Sequence, residues 1–313
     1  MEEPEVDGAL AAMSRHAAHG GRLRFEPLGP DPRSHRSWLD HDLASMVENR
    51  LGLDVDPRSL SEADRRPWIE RSTDVGLQYA PRSAYAEPFW LTWDGEPVGT
   101  ISIERSSHRA HLGITSFYVR RERRGLGIGT TTLDAVRSVA LRHGFAGLRL
   151  ETSWCWRDTV AFYARRGMWV RGWKDELSLV SDVAPYQVEI AGDHARFWWG
   201  TGGGERTVAI EATRAGDRLR WSPAGSLEES GEKGWLAPGT FALHLALRGW
   251  PLITSDEAWA DQERLGFSDC GGPEGLAFKI QIWEAWNAHS GWRSTAPRIE
   301  GLALPTWAEL QAR

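Results

Sequence analysis

Residues Ile114 to Thr130, ITSFYVRRERRGLGIGT, constrain the fold more than any other stretch of this chain. Ile114 to Val119 is short, apolar and rich in β-branched and aromatic residues, which predicts a strand. Arg120 to Arg124 is a basic bend that cannot continue a buried strand. Gly125, Gly127 and Gly129 then alternate with Leu126 and Ile128, and Thr130 opens a helical pattern through Leu133, Val136, Ala140 and Leu141 to His143-Gly144. A strand, a basic glycine loop and a helix start together make a phosphate site. Glycines let backbone N–H groups approach a charged oxygen, and the first helical turn adds unpaired donors at the positive end of the dipole. The dinucleotide pattern GxGxxG is not met, because Thr130 stands where its last glycine would be. The Gly-Lys-Ser/Thr of a P-loop is absent as well.

The rest of the chain limits what such a loop can serve. At 313 residues two domains are expected rather than one. A net charge of −6 argues against a general nucleic-acid binder. No apolar run reaches the ~20 residues that cross a bilayer. The N-terminal MEEPEVDGAL is acidic where a secretory signal would be basic. Cys155 and Cys270 stand far apart and form no metal-ligand pattern, so no metal is predicted and a reducing cytoplasm is the expected compartment. The 18 tryptophans are expected mainly in cores and interfaces, since an indole buries so much apolar area.

Read in order, residues 1–21 show little periodicity and predict a flexible tail or loose helix. Leu23 to Leu28 alternates as a first strand. Trp38, Leu39, Leu43, Met46 and Val47 make an amphipathic helix, and Ser61-x-x-Asp64 offers a capping start for a second one. Phe89–Trp93, Asp94-Gly95 and Val98–Ile103 form a hairpin signature that leads into the organising strand. Gly147 to Thr152 (strand), Asp158 to Arg166 (helix) and Trp169 to Val180 (strand) complete an α/β pattern, a mixed sheet flanked by helices. Residues 1–182 carry 25 basic and 26 acidic side chains, and residues 183–313 carry 12 and 17. This shift places an expected boundary near Asp182. Beyond it, strands at Tyr186–Ile190, Arg196–Trp199 and Thr207–Trp221 precede helices at Thr240–Arg248, Ser255–Arg264 and Pro273–Asn287, a smaller β-then-α accessory domain. A fragment cut near Asp182 is expected to keep the phosphate site.

Arg124-Gly125-Leu126-Gly127-Ile128-Gly129 resembles the R/Q-x-x-G-x-G/A motif of the GNAT superfamily of acyl-CoA N-acyltransferases. Leu148-Arg-Leu-Glu-Thr152 resembles that family's next strand. Phe162-Tyr163-Ala-Arg-Arg-Gly167-Met168 resembles its F-Y-x-x-x-G-F helix end. The resemblance covers residues 22–180 and implies a mostly antiparallel GNAT-like sheet over 22–182. It also implies acetyl-CoA as co-substrate, bound by Arg124 to Thr130, with the backbone of Phe117, Tyr118 and Val119 pairing the pantetheine arm like an added strand. Tyr163 is then the general acid that protonates the leaving thiolate. Glu151 is a candidate base through water. The family's alternative carboxylate would fall at Gly113, so that version is absent. His111 shares the alternating face of Phe117 and could substitute, with Glu104 as a third candidate. The chain departs from the pattern at Trp156, Thr159 and Met168, where asparagine, alanine and an aromatic are expected. Indole cannot accept a hydrogen bond as asparagine does, so Trp154 and Trp156 are candidates to shape an acceptor pocket instead. The helices around Trp38 to Trp68 would wall the acceptor.

The function implied is acetyl transfer to the primary amine of a small molecule or peptide, with no membrane partner; a homodimer stays open. Two alternatives remain at this point. One is a weakly catalytic acyl-CoA sensor. The other is a resistance- or toxin-type enzyme acting on an aminoglycoside or aminoacyl-tRNA.

Overall fold

The computed structural model describes residues 5–29, 85–105, 110–152, 157–172, 177–181, 183–200, 206–216, 218–223, 231–250, 298–299 and 302–303. The expected helices of 37–69, 255–264 and 273–287, and Trp154 and Trp156, lie outside these residues. The chain divides into two compact units, Met1–Leu150 with Gly291–Arg313, and Glu151–Ser290.

In the first unit, β1 (Ala17–Ala18), β2 (Leu23–Pro27), β3 (Ala86–Trp93), β4 (Glu96–Glu104) and β5 (His111–Val119) are neighbours in that order, and all pair antiparallel. The β3–β4 turn uses Asp94 (φ +55°) and Gly95 (φ +83°), the left-handed pair that a two-residue hairpin requires. A crossover through helix α2 (Ile128–Arg142) brings β6 (Gly147–Thr152) parallel to β5. Helix α2 stops where the sequence predicts. Gly144 takes φ +79°, the Phe145 N–H donates to the Ala140 carbonyl (3.1 Å), and the Gly144 N–H donates to that of Leu141 (3.4 Å). Its buried stripe, Ile128, Leu133, Val136, Val139 and Ala140, packs over β5.

Residues 1–21 correct the expectation of a flexible tail. Val6–Arg15 form helix α1, whose Ala9, Leu10 and Met13 are buried against α2 and β2. The Glu5 N–H donates to the His143 carbonyl (3.2 Å) at the end of α2. The apolar face is short and built partly from alanine, so its periodicity is faint, yet it covers one flank of α2.

The second unit holds α3 (Arg157–Arg165), the hairpin of β7 (Trp169–Gly172) and β8 (Leu177–Val180), and a four-stranded antiparallel sheet. That sheet is ordered β12 (Arg218–Pro223), β11 (Arg206–Ala215), β10 (His194–Gly200), β9 (Tyr186–Ala191). Helix α4 (Glu232–Leu247) packs on β7, α3 and the sheet. It starts eight residues before the predicted Thr240 and runs through Pro238, which forfeits one backbone bond. A proline inside a helix costs about 3 kcal/mol, and here burial of Leu236, Ala237, Phe241, Ala242, Leu243 and Leu245 offsets it.

The boundary predicted at Asp182 does not coincide with this division. Trp169, before it, is fully buried against Tyr186 (ring centroids 5.0 Å), Phe197 (5.5 Å) and Trp199 (6.2 Å), all after it. The Trp169 indole N–H donates to the Ala184 carbonyl (2.8 Å). The Thr240 hydroxyl of α4 accepts the Val170 N–H (2.9 Å). Residues on both sides of 182 therefore share one core.

Candidate functional site

Strand β5 is paired unequally along its length. Its register with β4 runs to Gly99↔Val119, whereas the parallel register with β6 runs from His111↔Gly147 to Ile114↔Leu150. The five residues from Thr115 to Val119 continue beyond that last β6 pair. Gly99 lets β4 approach this segment closely, because a Cβ there would run into the Tyr118 carbonyl oxygen.

A bulge lies where the two registers part. Ser102 pairs with Ser116 but Ile103 pairs with Ile114, leaving Thr115 as the extra residue, with its hydroxyl 3.3 Å from the Ser102 carbonyl. The bulge corrects the alternation read from sequence. Val119 and Phe117 share a face with Ile114 and Leu112, while His111 and Gly113 fall on the face of Ser116 and Tyr118. His111 is buried on that second face. A salt bridge between Glu104 of β4 and Arg149 of β6 crosses there. Gly113 makes room for it, since a Cβ at 113 would collide with the Glu104 carboxylate and lie 3.1 Å from the Arg149 guanidinium.

After Val119 the chain bends at once. The Arg120 N–H donates to the Val98 carbonyl (2.9 Å), and Arg121–Arg123 make one 3-10 turn. Arg124 folds back, its Nε–H donating to the Val119 carbonyl (3.0 Å) and its guanidinium lying 5.4 Å from the Tyr118 ring centroid. Gly125 (φ +79°) and Gly127 (φ +80°) are left-handed, and Gly127 is the N-cap of α2. Gly127 has no side chain with which to cap this end and the first turn carries no acid, so the early N–H groups of α2 have no cap from their own N-cap residue. Among the described residues, no atom lies within 4 Å of where a Cβ at Gly125 or Gly127 would stand. Leu126 at the loop's tip is 59% exposed, and Ile128 anchors the helix start in the core. Gly129 and Thr130 occupy the first turn of α2. The αL cap, the missing side-chain cap and the open space together fit a diphosphate held by backbone donors.

In the second unit Tyr163 lies on α3, 5% exposed, with its ring 5.3 Å from that of Phe162. Burial pushes its phenol above the ordinary tyrosine range. The helix closes just beyond it. Gly167 takes φ +73°, the Met168 N–H donates to the Tyr163 carbonyl (3.3 Å), and the Gly167 N–H donates to that of Ala164 (3.0 Å). The F-Y-x-x-x-G spacing is thus a helix-end device: glycine supplies the left-handed residue and the following apolar residue tucks under the helix. Glu151, near the end of β6, is exposed. Sequence reasoning passed over Tyr186, whose phenol meets the end of α3, and its partner His244. Nothing local marks them, because they lie 58 residues apart. Among the described residues no cluster of His, Cys, Asp or Glu could hold a metal ion, and no helix is long and apolar enough to cross a membrane.

Residues 57–168 match the model of the Acetyltransferase (GNAT) family. No curated protein matches the chain. Among solved structures, the PaiA N-acetyltransferase of Thermoplasma acidophilum in complex with coenzyme A is 13% identical (51% of this chain, 98% of that one, TM-score 0.38). A Salmonella typhimurium acetyl transferase that modifies the N-terminal serine of ribosomal protein L7/L12 is 16% identical (51% and 92%, TM-score 0.35). Nourseothricin acetyltransferase is 22% identical (32% and 65%, TM-score 0.28).

Proposed function

We propose that residues 57–168, which match the acetyltransferase (GNAT) family, form an acetyltransferase domain with acetyl-CoA as co-substrate, and that the chain moves the acetyl group directly onto the primary amine of a small molecule or peptide. The observation that carries this reading is the uncapped, glycine-led start of α2 directly after a strand that outruns its β6 pairing. Bound acetyl-CoA supplies an activated thioester. The protein's part is to hold it, to align it and to move protons. Backbone N–H groups from Gly125 to Thr130, with the Thr130 hydroxyl, hold the pyrophosphate. The backbone of Phe117, Tyr118 and Val119 takes the pantetheine arm as an added strand. Arg124 contributes chiefly by tying the loop to Val119.

Tyr163 gives a proton or a strong hydrogen bond to the departing thiolate. Burial disfavours the phenolate and so opposes full proton transfer, which leaves a strong hydrogen bond to the sulfur as the larger part of its role. Replacing it by phenylalanine keeps the ring and should lower turnover by about 10²-fold with little change in acetyl-CoA affinity. Normal turnover in Tyr163→Phe would sink the assignment.

The incoming ammonium must lose a proton before it can attack. Glu151, exposed at the end of β6, takes that proton through water. Glu104 is less suited, because its carboxylate is already engaged in a salt bridge with Arg149. Glu151→Gln should displace the acidic limb of the pH–rate profile. A flat response to that change, with loss in His111→Ala, would move the base to β5. Thiol release from acetyl-CoA against a panel of amines tests the whole reading. No release above the buffer rate with any amine counts against it.

A further inference from the structure

The phenol of Tyr186, the first residue of β9, reaches back across the predicted boundary to the end of α3. Its oxygen lies 3.1 Å from the Met168 carbonyl, 3.3 Å from the Ala164 carbonyl and 2.9 Å from His244 Nε2 on α4. These three partners fix the direction of the bonds. A phenol has one proton and carbonyls only accept, so the O–H donates to the Met168 and Ala164 carbonyls, and His244 donates its Nε2–H to the phenol oxygen. Three other rings hold the Tyr186 ring. It stacks on Phe197 (5.1 Å, 25°) and meets Trp169 (5.0 Å, 75°) and His244 (5.5 Å, 76°) edge-on. Burial pushes this phenol above its usual range, so it stays a donor. Burial and the nearby Arg248 charge push His244 down to about 4, so it stays neutral at physiological pH.

The two carbonyls are not arbitrary. Ala164 follows Tyr163, and the Met168 N–H closes the helix on the Tyr163 carbonyl (3.3 Å). We propose that Tyr186, backed by His244, is a positioning residue that fixes the last turn of α3 and so sets where Tyr163 presents its hydroxyl. This rests on the reading of Tyr163 as the proton donor. It gives the segment after Asp182 a part in the reaction without placing any of its side chains against substrate. Proton delivery depends steeply on geometry, and a displacement near 1 Å can cost about 10²-fold in rate. An α3 end tied only by its own backbone bonds would hold Tyr163 less firmly. Two bonds at Thr240 fasten the next stretch in the same way: its hydroxyl accepts the Val170 N–H (2.9 Å) and donates to the Leu236 carbonyl (2.7 Å).

Tyr186→Phe keeps the stacked ring and removes only the O–H. In the free protein, amide hydrogen exchange should rise at Gly167 and Met168 and stay unchanged in β10 and β11. Unchanged exchange at that turn overturns the proposal whichever amine is accepted. With acetyl-CoA and the first amine that gives thiol release, kcat should fall about tenfold while KM for acetyl-CoA holds. The double variant Tyr163→Phe/Tyr186→Phe should be no slower than Tyr163→Phe alone, because Tyr186 acts only through Tyr163. His244→Gln, which still offers an N–H, should keep more of kcat than His244→Leu, and equal losses in the two overturn the role of His244. Slow turnover in Tyr163→Phe with normal turnover in Tyr186→Phe, or losses that multiply in the double variant, removes the positioning role and leaves the acid assignment standing. Normal turnover in Tyr163→Phe removes both.

Discussion

Gly127→Val is expected to abolish acetyl-CoA binding, weakening it by at least about 10³-fold in titration calorimetry, while the protein still folds. Two effects act at this residue. Gly127 sits at φ +80°, where an L side chain costs roughly 1–2 kcal/mol and a β-branched one more. Relaxing that strain rotates the peptide and so re-aims the first N–H groups of α2. The second effect is space. Among the described residues a Cβ at 127 meets no atom within 4 Å, so a loss not explained by strain is expected to report room that the ligand itself needs. Gly127→Asn separates the two, because asparagine tolerates the left-handed region far better than valine. A folded Gly127→Asn protein that binds as poorly as Gly127→Val assigns the loss to space, and recovered binding assigns it to strain. Arg123→Ala, which removes an exposed charge from the same bend, should weaken binding by less than about tenfold. Normal binding in Gly127→Val would remove the pyrophosphate from this loop.

That loop was legible in the sequence because its causes are local. Positive φ demands glycine at 125 and 127, the anchor Ile128 follows directly, and Gly144 closes α2 with backbone bonds only a few residues long. The hairpin at Asp94-Gly95 was readable for the same reason. Features set by packing were not. Alternation counted back from Val119 put His111 on the face of Phe117, and the bulge at Thr115 moved it to the other face. A bulge is an agreement between two strands, and one strand's pattern does not announce it. The sequence of α1 suggests no more than a tail or a loose helix, because three small or medium apolar residues suffice when a neighbouring helix end lies against them. The charge shift near Asp182 suggested a boundary, but charge describes surfaces and a domain is decided by its core. Trp169, Tyr186, Phe197 and Phe241 would each have been read as core, yet nothing in the sequence says that they share one.

That shared core leads to the opposite of the fragment behaviour expected from sequence. A chain ending at Asp182 should be insoluble or lack a cooperative melt, although it keeps every motif residue from Phe117 to Met168. Truncation removes Tyr186, Phe197 and Trp199 from around Trp169, which is fully buried in the intact protein, and with them Phe241, which packs on Phe197. An indole buries roughly 150–250 Å², so exposing Trp169 alone costs about 5 kcal/mol. Val170 loses the Thr240 hydroxyl that accepts its N–H, and it loses cover from the backbone of Gly239, where an added Cβ would stand 3.4 Å from a Val170 methyl. The α3 turn loses the Tyr186 phenol as well. Domains of this size are stable by only about 5–15 kcal/mol, so these losses together are of the order of the whole margin. The comparison is between the full chain and residues 1–182, by solubility, circular dichroism melting and acetyl-CoA titration. A soluble fragment that melts cooperatively and binds acetyl-CoA would mean that the aromatic cluster is an accessory contact, and the boundary would return to Asp182. An aggregating fragment, beside a full chain that resists proteolysis around residues 181–185, would mean that the segment after Asp182 is part of the folding unit that carries Tyr163.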